Sequence, residues 1–397
     1  MTPLLVCYTV DMRILGIETS CDETAVSICE IDNGVVNMLS NTVVSQIDIH
    51  KAYGGVVPEV AARSHIEAMT PTLHESLKDA FGTDKLDKAW GHIDGIAVTY
   101  GAGLGGSLLI GTMAARVLAI AKDKPLYACN HIEGHVYANF ITKRTQNSIS
   151  TTPITTPLQG LTLLQGQTLQ DGYLLPERAP EFPFLALIVS GKHSQLVIFR
   201  DHFDYTVLGN TKDDAIGEAF DKVAKMTGLP YPGGPSVAEA AKSGDPFAFE
   251  LPKARMEGAY DTSFSGLKTA VLRKAQFMCG RDFTMHSTEL PSALSESQIN
   301  DISAVFQRVA IETMVTKMVQ AVDEFKPRDV VIAGGVASSQ ELRKQLSSAL
   351  TIKPLYTDPK LCTDNGAMIA SLGCFRASLG QPVADPYSLD IEPSLKM

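Results

Sequence analysis

Two stretches of this chain share one pattern of apolar and polar positions. Residues 13–31, RILGIETSCDETAVSICEI, are two apolar, β-branched runs around a polar turn, which predicts an antiparallel hairpin. Residues 184–199, FLALIVSGKHSQLVIF, repeat that plan around a Ser-Gly turn. Each hairpin is followed by further strand and helix signals. In the first half, IDGIAVTYG predicts a strand and SLLIGTMAARVLAIA a buried helix. In the second half, DDAIGEAFDKVAKMTGLP has acidic residues at its start, Gly228 at its end and Pro230 beyond, the punctuation of a helix. Ile299, Ile302, Phe306, Val309, Met314, Ala321 and Phe325 fall near one stripe and predict a long amphipathic helix over 299–325. DVVIAGGVA then reads as a strand, and Ser338 with Glu341 has the spacing of a capping box that opens another helix. The repetition predicts two similar α/β halves.

Composition narrows the class. At 397 residues the chain is long enough for two ordinary domains with full cores, and 45% hydrophobic with 20% charged residues describes a soluble globular protein. The best candidate for a membrane span is interrupted by Arg116, so no membrane association is expected. The N-terminal MTPLLVCYTVDM has no basic segment before its apolar run, which argues against a secretory signal. Met12 directly precedes RILGIETS, and residues 1–11 read as a start-site extension. Seven cysteines without C-x-x-C spacing indicate neither a disulfide framework nor a zinc ribbon and fit a reducing cytoplasm. A formal net charge of −10 opposes strong non-specific binding to nucleic acid, so an RNA substrate would require local basic clusters or a helping partner. From Thr145 to Gln170 there is no charge, and Thr, Gln, Ser and Pro dominate; a flexible insert over 145–178 is expected.

Chemistry enters at residues 130–140, NHIEGHVYANF. His131 and His135 are four apart and share a face of any helix, where they could chelate one ion. Glu133 lies roughly 200° around that helix from His131, so it points away from such an ion. The zinc-protease arrangement, in which the glutamate adjoins the first histidine, is excluded. Three glycine-bearing turns follow strands: IETSCDET with Thr19 and Ser20, VSGKHS with Ser190, Gly191 and Lys192, and AGGVASS. Such turns suit phosphate or nucleotide recognition, or serve the fold alone. Asp364, in LCTDNGAMIA, is either an ordinary helix N-cap or a carboxylate delivered to the two histidines.

The chain resembles the TsaD/Gcp family, whose archaeal and eukaryotic relatives sit in the KEOPS complex. The matching segments, in order, are ILGIETSCDETAVS, YGGVVPEVAARSH, NHIEGHVYAN, GEAFDKVAKMTGLPYPGGP, SFSGLKTAVL, DISAVFQ, AGGVAS and CTDNGAM. The resemblance implies an α/β actin-like ATPase (ASKHA) fold of two ribonuclease-H-like lobes with an interlobe active-site cleft. The lobes are expected at 12–128, completed by 373–397, and at 129–372. It also implies transfer of a threonylcarbamoyl group from threonylcarbamoyl-adenylate to N6 of the adenosine 3′ to the anticodon, in tRNAs reading ANN codons. TsaB-like and TsaE-like proteins are the partners it implies, and the cytoplasm the compartment.

By motif, His131, His135 and Asp364 match the family's metal ligands, for Fe(II) in the first place and Zn(II) as the alternative. Ile188, Val189, Ser190, Gly191 and Lys192, with Asp221 and Gly234, match its adenylate-binding positions. Asp221 has a structural alternative, an ion pair with Lys225 one helical turn on. Ser339 stands where the family usually has asparagine. Lys192 replaces the second glycine of the family's S-G-G-H, and TYGAGLGGS departs from its R-G-P-G. Lys192 either contacts the adenylate phosphate or points to solvent from a turn with negative φ. If the turn requires positive φ, lysine costs of order 1 kcal/mol there. The rival readings are a kinase of the same fold, which needs an aspartate base but no histidine pair, and a non-catalytic scaffold subunit.

Overall fold

Both predicted hairpins form, and each founds a sheet. The computed structural model describes residues 11–145, 167–280 and 283–397. Residues 1–10, nearly all of the expected N-terminal extension, and residues 146–166 of the expected insert lie outside them. The chain divides into two compact units: the first takes residues up to 48, 56–180 and 355–397, and the second takes 49–55 and 181–354.

The first unit begins with β1 (Met12–Glu18), β2 (Glu23–Asp32) and β3 (Val35–Ser45), then α1 (Pro58–Phe81), β4 (Gly95–Gly101), α2 (Gly105–Lys122) and β5 (Leu126–Asn130). α3 (His131–Tyr137) follows β5 directly and leads to β6 (Ile141–Arg144) and the hairpin of β7 (Gln167–Gln170) and β8 (Tyr173–Pro176). The second unit supplies β9 (Phe184–Val189), β10 (Ser194–Asp201), β11 (Asp204–Asn210), α4 (Ile216–Thr227), α5 (Gly233–Ala241) and α6 (Ser265–Met278). α7 (Glu296–Phe325), β12 (Asp329–Ala333) and α8 (Gln340–Ala349) complete it, and the chain returns to the first unit as α9 (Gly366–Ser378).

The first sheet runs β5-β4-β1-β2-β3-β6, with β1, β2 and β3 antiparallel in succession and β1-β4, β4-β5 and β3-β6 parallel. The second is five-stranded: β11-β10-β9-β12, with β9, β10 and β11 antiparallel and β9-β12 parallel, and then the two-residue strand Leu355–Tyr356. The shared plan is a hairpin strand flanked by an antiparallel neighbour on one side and a parallel one on the other. β1 carries a continuous apolar run because it is covered on both faces: Ile14, Leu15 and Ile17 are fully buried. One cover is α9, which approaches closely because both partners lack side chains where they meet. A methyl group on Gly16 would stand 2.3 Å from the Ala370 nitrogen, and one on Gly366 would stand 2.6 Å from the Ser27 nitrogen. That contact fixes the start of α9, two residues after Asp364.

Four expectations are corrected. Residues 129–180 and 355–372 belong to the first unit, because β6 pairs with β3 and α9 packs on β1 and β2. The later part of the expected insert is the β7-β8 hairpin, held by Gln170, which accepts from the Arg144 amide at 2.8 Å, and by Asp358, which accepts from the Leu174 amide at 2.6 Å. α2 is not a wholly buried helix: it buries Leu108, Gly111, Ala115 and Ala119 but exposes Leu109, Met113, Val117 and Ile120. By length and apolar composition α2 also passes the test for a membrane span, Arg116 notwithstanding. The Arg116 guanidinium donates to the carbonyls of Pro386, Tyr387 and Leu389. Finally, α8 is capped by Ser339, which accepts from the Leu342 amide, while the Ser338 hydroxyl donates to the Gly335 carbonyl. The chain enters α8 one residue later than the spacing suggested.

Candidate metal centre

His131 and His135 lie on α3, with ring centroids 4.7 Å apart. The Asn130 side chain caps α3 by accepting from the Ile132 amide at 2.8 Å, so helix and histidine pair start together at the end of β5. Asp364 precedes α9 by two residues, and the cap of α9 is Asn365, whose side-chain Oδ1 accepts from the Met368 amide at 3.0 Å. The capping role considered for Asp364 therefore falls to its neighbour. The Asp364 Oδ1 lies 3.6 Å from His131 Nε2 and 3.4 Å from His135 Nε2. Donors about 2.1 Å from a tetrahedral ion stand roughly 3.4 Å apart, so the spacing suits one ion. Both ring nitrogens of His135 are buried without a hydrogen bond among the described residues. An orphaned buried imidazole costs free energy unless something binds it. The three residues thus fit a divalent ion, and their N₂O donor set suits iron or zinc.

A second layer holds His131, and the residues alone did not reveal it. Ser20 Oγ lies 3.0 Å from His131 Nδ1, and Glu18 Oε2 lies 3.3 Å from it. Glu18 is fully buried at the end of β1 and also accepts from the Thr99 hydroxyl and the Ser20 amide, each at 2.5 Å. Burial raises the Glu18 carboxyl, but the adjacent His131 and Ser20 outweigh it and the net shift is downward. With Nδ1 engaged, Nε2 is the nitrogen turned to Asp364. The Thr19 hydroxyl donates to the Ser107 carbonyl at 2.9 Å. Of the two roles open to the IETSCDET turn, nucleotide recognition or the fold alone, the second is favoured, because the Thr19 and Ser20 hydroxyls are both engaged inside the first unit. Burial, then the neighbouring Asp364 and Asp22, push Glu23 well above the ordinary carboxylate range. Glu133 pairs with Arg376 at 3.3 Å, away from the ion site, as its helical angle required.

In the second unit the expected adenylate positions form their own chain of contacts. Ile188 and Val189 end β9 fully buried, so only their main chain can face a ligand. Ser190 Oγ accepts from the His193 amide at 3.1 Å and the Lys192 amide at 3.4 Å. Gly191 and Lys192 are exposed, and Lys192 lies outside the left-handed region, so lysine carries no backbone strain there. Gly217 in α4 packs on this turn: a methyl group on it would stand 2.7 Å from the Ser190 oxygen. One turn further, Asp221 Oδ1 accepts from the Gly233 amide at 2.7 Å. The considered pair with Lys225 is not among the ion pairs of the described residues. Burial lifts the Asp221 carboxyl above its usual value, against the pull of that amide. Gly234 faces open space. Gly334, with φ of 87°, brings the turn after β12 against the Val189 carbonyl, and Ser339 follows at the α8 cap.

A family model described as TsaD, tRNA N6-adenosine threonylcarbamoyltransferase, matches residues 37–158 and 152–371. The chain is 43% identical over 365 residues to the tRNA N6-adenosine threonylcarbamoyltransferase of Symbiobacterium thermophilum, covering 91% of each. To that of Staphylococcus carnosus it is 41% identical over 391 residues, covering 96% of this chain and 97% of the relative. Among solved structures, full-length HypF in its phosphate- and nucleotide-bound form matches with a TM-score of 0.51 at 11% identity, over 93% of this chain and 46% of that one. That likeness concerns the fold, which is the α/β fold of the actin-like ATPases. The chain belongs to the TsaD family of tRNA N6-adenosine threonylcarbamoyltransferases, enzymes that modify tRNA.

Proposed function

We propose that the donor is threonylcarbamoyl-adenylate, that the acceptor is N6 of the adenosine 3′ to the anticodon in tRNAs reading ANN codons, and that His131, His135 and Asp364 hold one divalent ion during transfer. Fe(II) is the first choice and Zn(II) the alternative. The observation that carries this reading is the convergence of the three donors, with both His135 ring nitrogens buried and lacking a hydrogen bond. When bound, the ion supplies a Lewis acid for the carbonyl oxygen of the threonylcarbamoyl portion.

The donor is a mixed carbamic–phosphoric anhydride and is already activated, so the protein needs no covalent nucleophile. The N6 nitrogen bonds to the carbamoyl carbon, the bond from that carbon to the phosphate oxygen breaks, and AMP leaves with its electron pair. N6 gives up one proton; no residue is assigned as its acceptor. The chain's part is to position two reactants. Ser20 and Glu18 hold the His131 ring by Nδ1. The main chain of Ile188 to Gly191, with Lys192, Asp221, Gly234 and the Ser339 hydroxyl, is assigned to the adenylate.

TsaB-like and TsaE-like partners are part of the proposal. It is supported by the −10 charge, unfavourable for tRNA capture by this chain alone, and by the apolar stripe of Leu109, Met113 and Val117 left uncovered on α2. The cytoplasm, where tRNA is available, is the proposed compartment. Neither a kinase nor a non-catalytic scaffold is favoured by relatives named for the transferase. The test is incubation with partner proteins, tRNA, threonine, bicarbonate, ATP and the enzyme supplying the adenylate, followed by nucleoside analysis. N6-threonylcarbamoyladenosine that depends on this chain is expected; its absence under conditions where a relative succeeds contradicts the reading.

A further inference from the structure

We propose that one face of α6 in the second unit binds an unpaired segment of the RNA substrate, taking bases on its aromatic rings and phosphates on its cations. The inference rests on RNA being the substrate. Arg273, Lys274 and Phe277 are spaced to share a face of α6, and they border an open cavity of about 700 Å³ that Phe283 and the polar Ser265 and Thr269 also line. Phe277 and Phe283 are each 71% exposed, so neither serves the core. The Arg273 guanidinium lies 5.8 Å from the Phe283 ring centre, and Lys274 Nζ lies 5.4 Å from that of Phe277 and 4.8 Å from that of Phe249. Among the described residues neither cation forms an ion pair with a carboxylate, although Glu250 stands at the rim.

Exposed aromatic faces interleaved with cations are the means by which proteins hold single-stranded nucleic acid. The pattern matters more because the whole chain is acidic: at −10, phosphate attraction has to come from a local cluster. A smaller groove lined by Lys222, Lys225 and Lys268 meets the first at Thr269 and extends the basic strip along α6. Lys222 and Lys268 share Asp214, so Lys225 contributes most of the added charge. An acidic protein segment would also be drawn to cations, but it gives no reason for two large rings turned outward beside an RNA-modifying enzyme's cations.

The test is binding of fluorescently labelled tRNA by the full-length protein, without donor or turnover, at several salt concentrations. Phe277→Ala should weaken binding about tenfold with the salt slope unchanged, since a stack is lost but no phosphate contact. Arg273→Ala with Lys274→Ala should weaken binding and lower the slope of log affinity against log salt by roughly 1 to 1.5. Circular dichroism and bound AMP serve as checks that the unit is intact. Wild-type affinity and slope in both variants overturn the proposal, as does a wild-type protein that fails to bind tRNA at low salt. Unchanged RNA binding with weakened binding of a partner protein by the same variants assigns the surface to a protein and also overturns it. Because no chemistry is read, failure of the transferase reading would appear separately, as RNA binding without modified nucleoside.

Discussion

Gly16 of β1 and Ala370 of α9 meet backbone to backbone: a methyl group on Gly16 would stand 2.3 Å from the Ala370 nitrogen and 2.7 Å from the Gly366 oxygen. Neither obstacle is a flexible side-chain end, so the helix itself would have to move. Because Asp364 is two residues before α9, moving the helix moves a metal ligand. Gly16→Ala should cost at least about 2 kcal/mol in urea unfolding and lower metal affinity together with stability. Wild-type stability in that variant contradicts the packing argument.

Ser20 should affect the centre without affecting the fold. Its hydroxyl is 3.0 Å from His131 Nδ1, and Glu18 remains 3.3 Å away when it is removed. Ser20→Ala is expected to weaken metal binding about tenfold, the usual effect of losing a partner of a ligand imidazole. Competition with a chromogenic chelator reads this directly. Equal affinity in variant and wild type would show that Glu18 alone orients the ring.

His202 gives the second unit an acid-sensitive element. Burial pushes its imidazole down to about 4, with Asp201 opposing, and its ring packs edge-on against Phe182 at 4.8 Å. A histidine whose folded value lies below its unfolded value of about 6.5 is penalised when protonated in the folded state. Its contribution is therefore present above about pH 6.5 and is lost as pH falls towards 4, on the order of 2–3 kcal/mol in all. His202→Gln should flatten that part of the stability–pH curve relative to wild type. Parallel curves for the two proteins would contradict it.

Lys192 bears on the adenylate. It is exposed and free of positive φ, so its replacement removes a charge without relieving strain. If its ammonium lies on the adenylate phosphate, Lys192→Gly lowers AMP affinity and the transfer rate at unchanged stability. If affinity and rate stay at the wild-type level, Lys192 is a solvent-facing bystander.

What could be read from the residues was mostly local. The hairpins at 13–31 and 184–199, α4 with its Gly228 cap and the long α7 all follow from periodicity and end signals within a few residues, and the structure has each of them. The His131–His135 pair was legible for the same reason, because spacing of four is a local property. Asp364 could be read from the residues only as an N-cap or a remote carboxylate, and the family resemblance chose between the two, since nothing near it in the chain indicates which distant helix it meets. Glu18 and Ser20 were missed as His131 partners because 113 and 111 residues separate them from it. The division at 128/129 failed for a similar reason. Residues 141–144 join the first sheet through β3, a pairing their own four residues do not specify.

Metal content and transfer activity measured on the same His135→Ala preparation bear most directly on the metal centre. Wild-type protein purified under reducing, oxygen-free conditions should carry one divalent ion per chain. His135→Ala should carry almost none and form no detectable N6-threonylcarbamoyladenosine, while circular dichroism shows an intact fold. A His135→Ala protein that is metal-free yet transfers at the wild-type rate, or one that keeps a full complement of metal, contradicts the assignment of His131, His135 and Asp364 as the centre of the reaction.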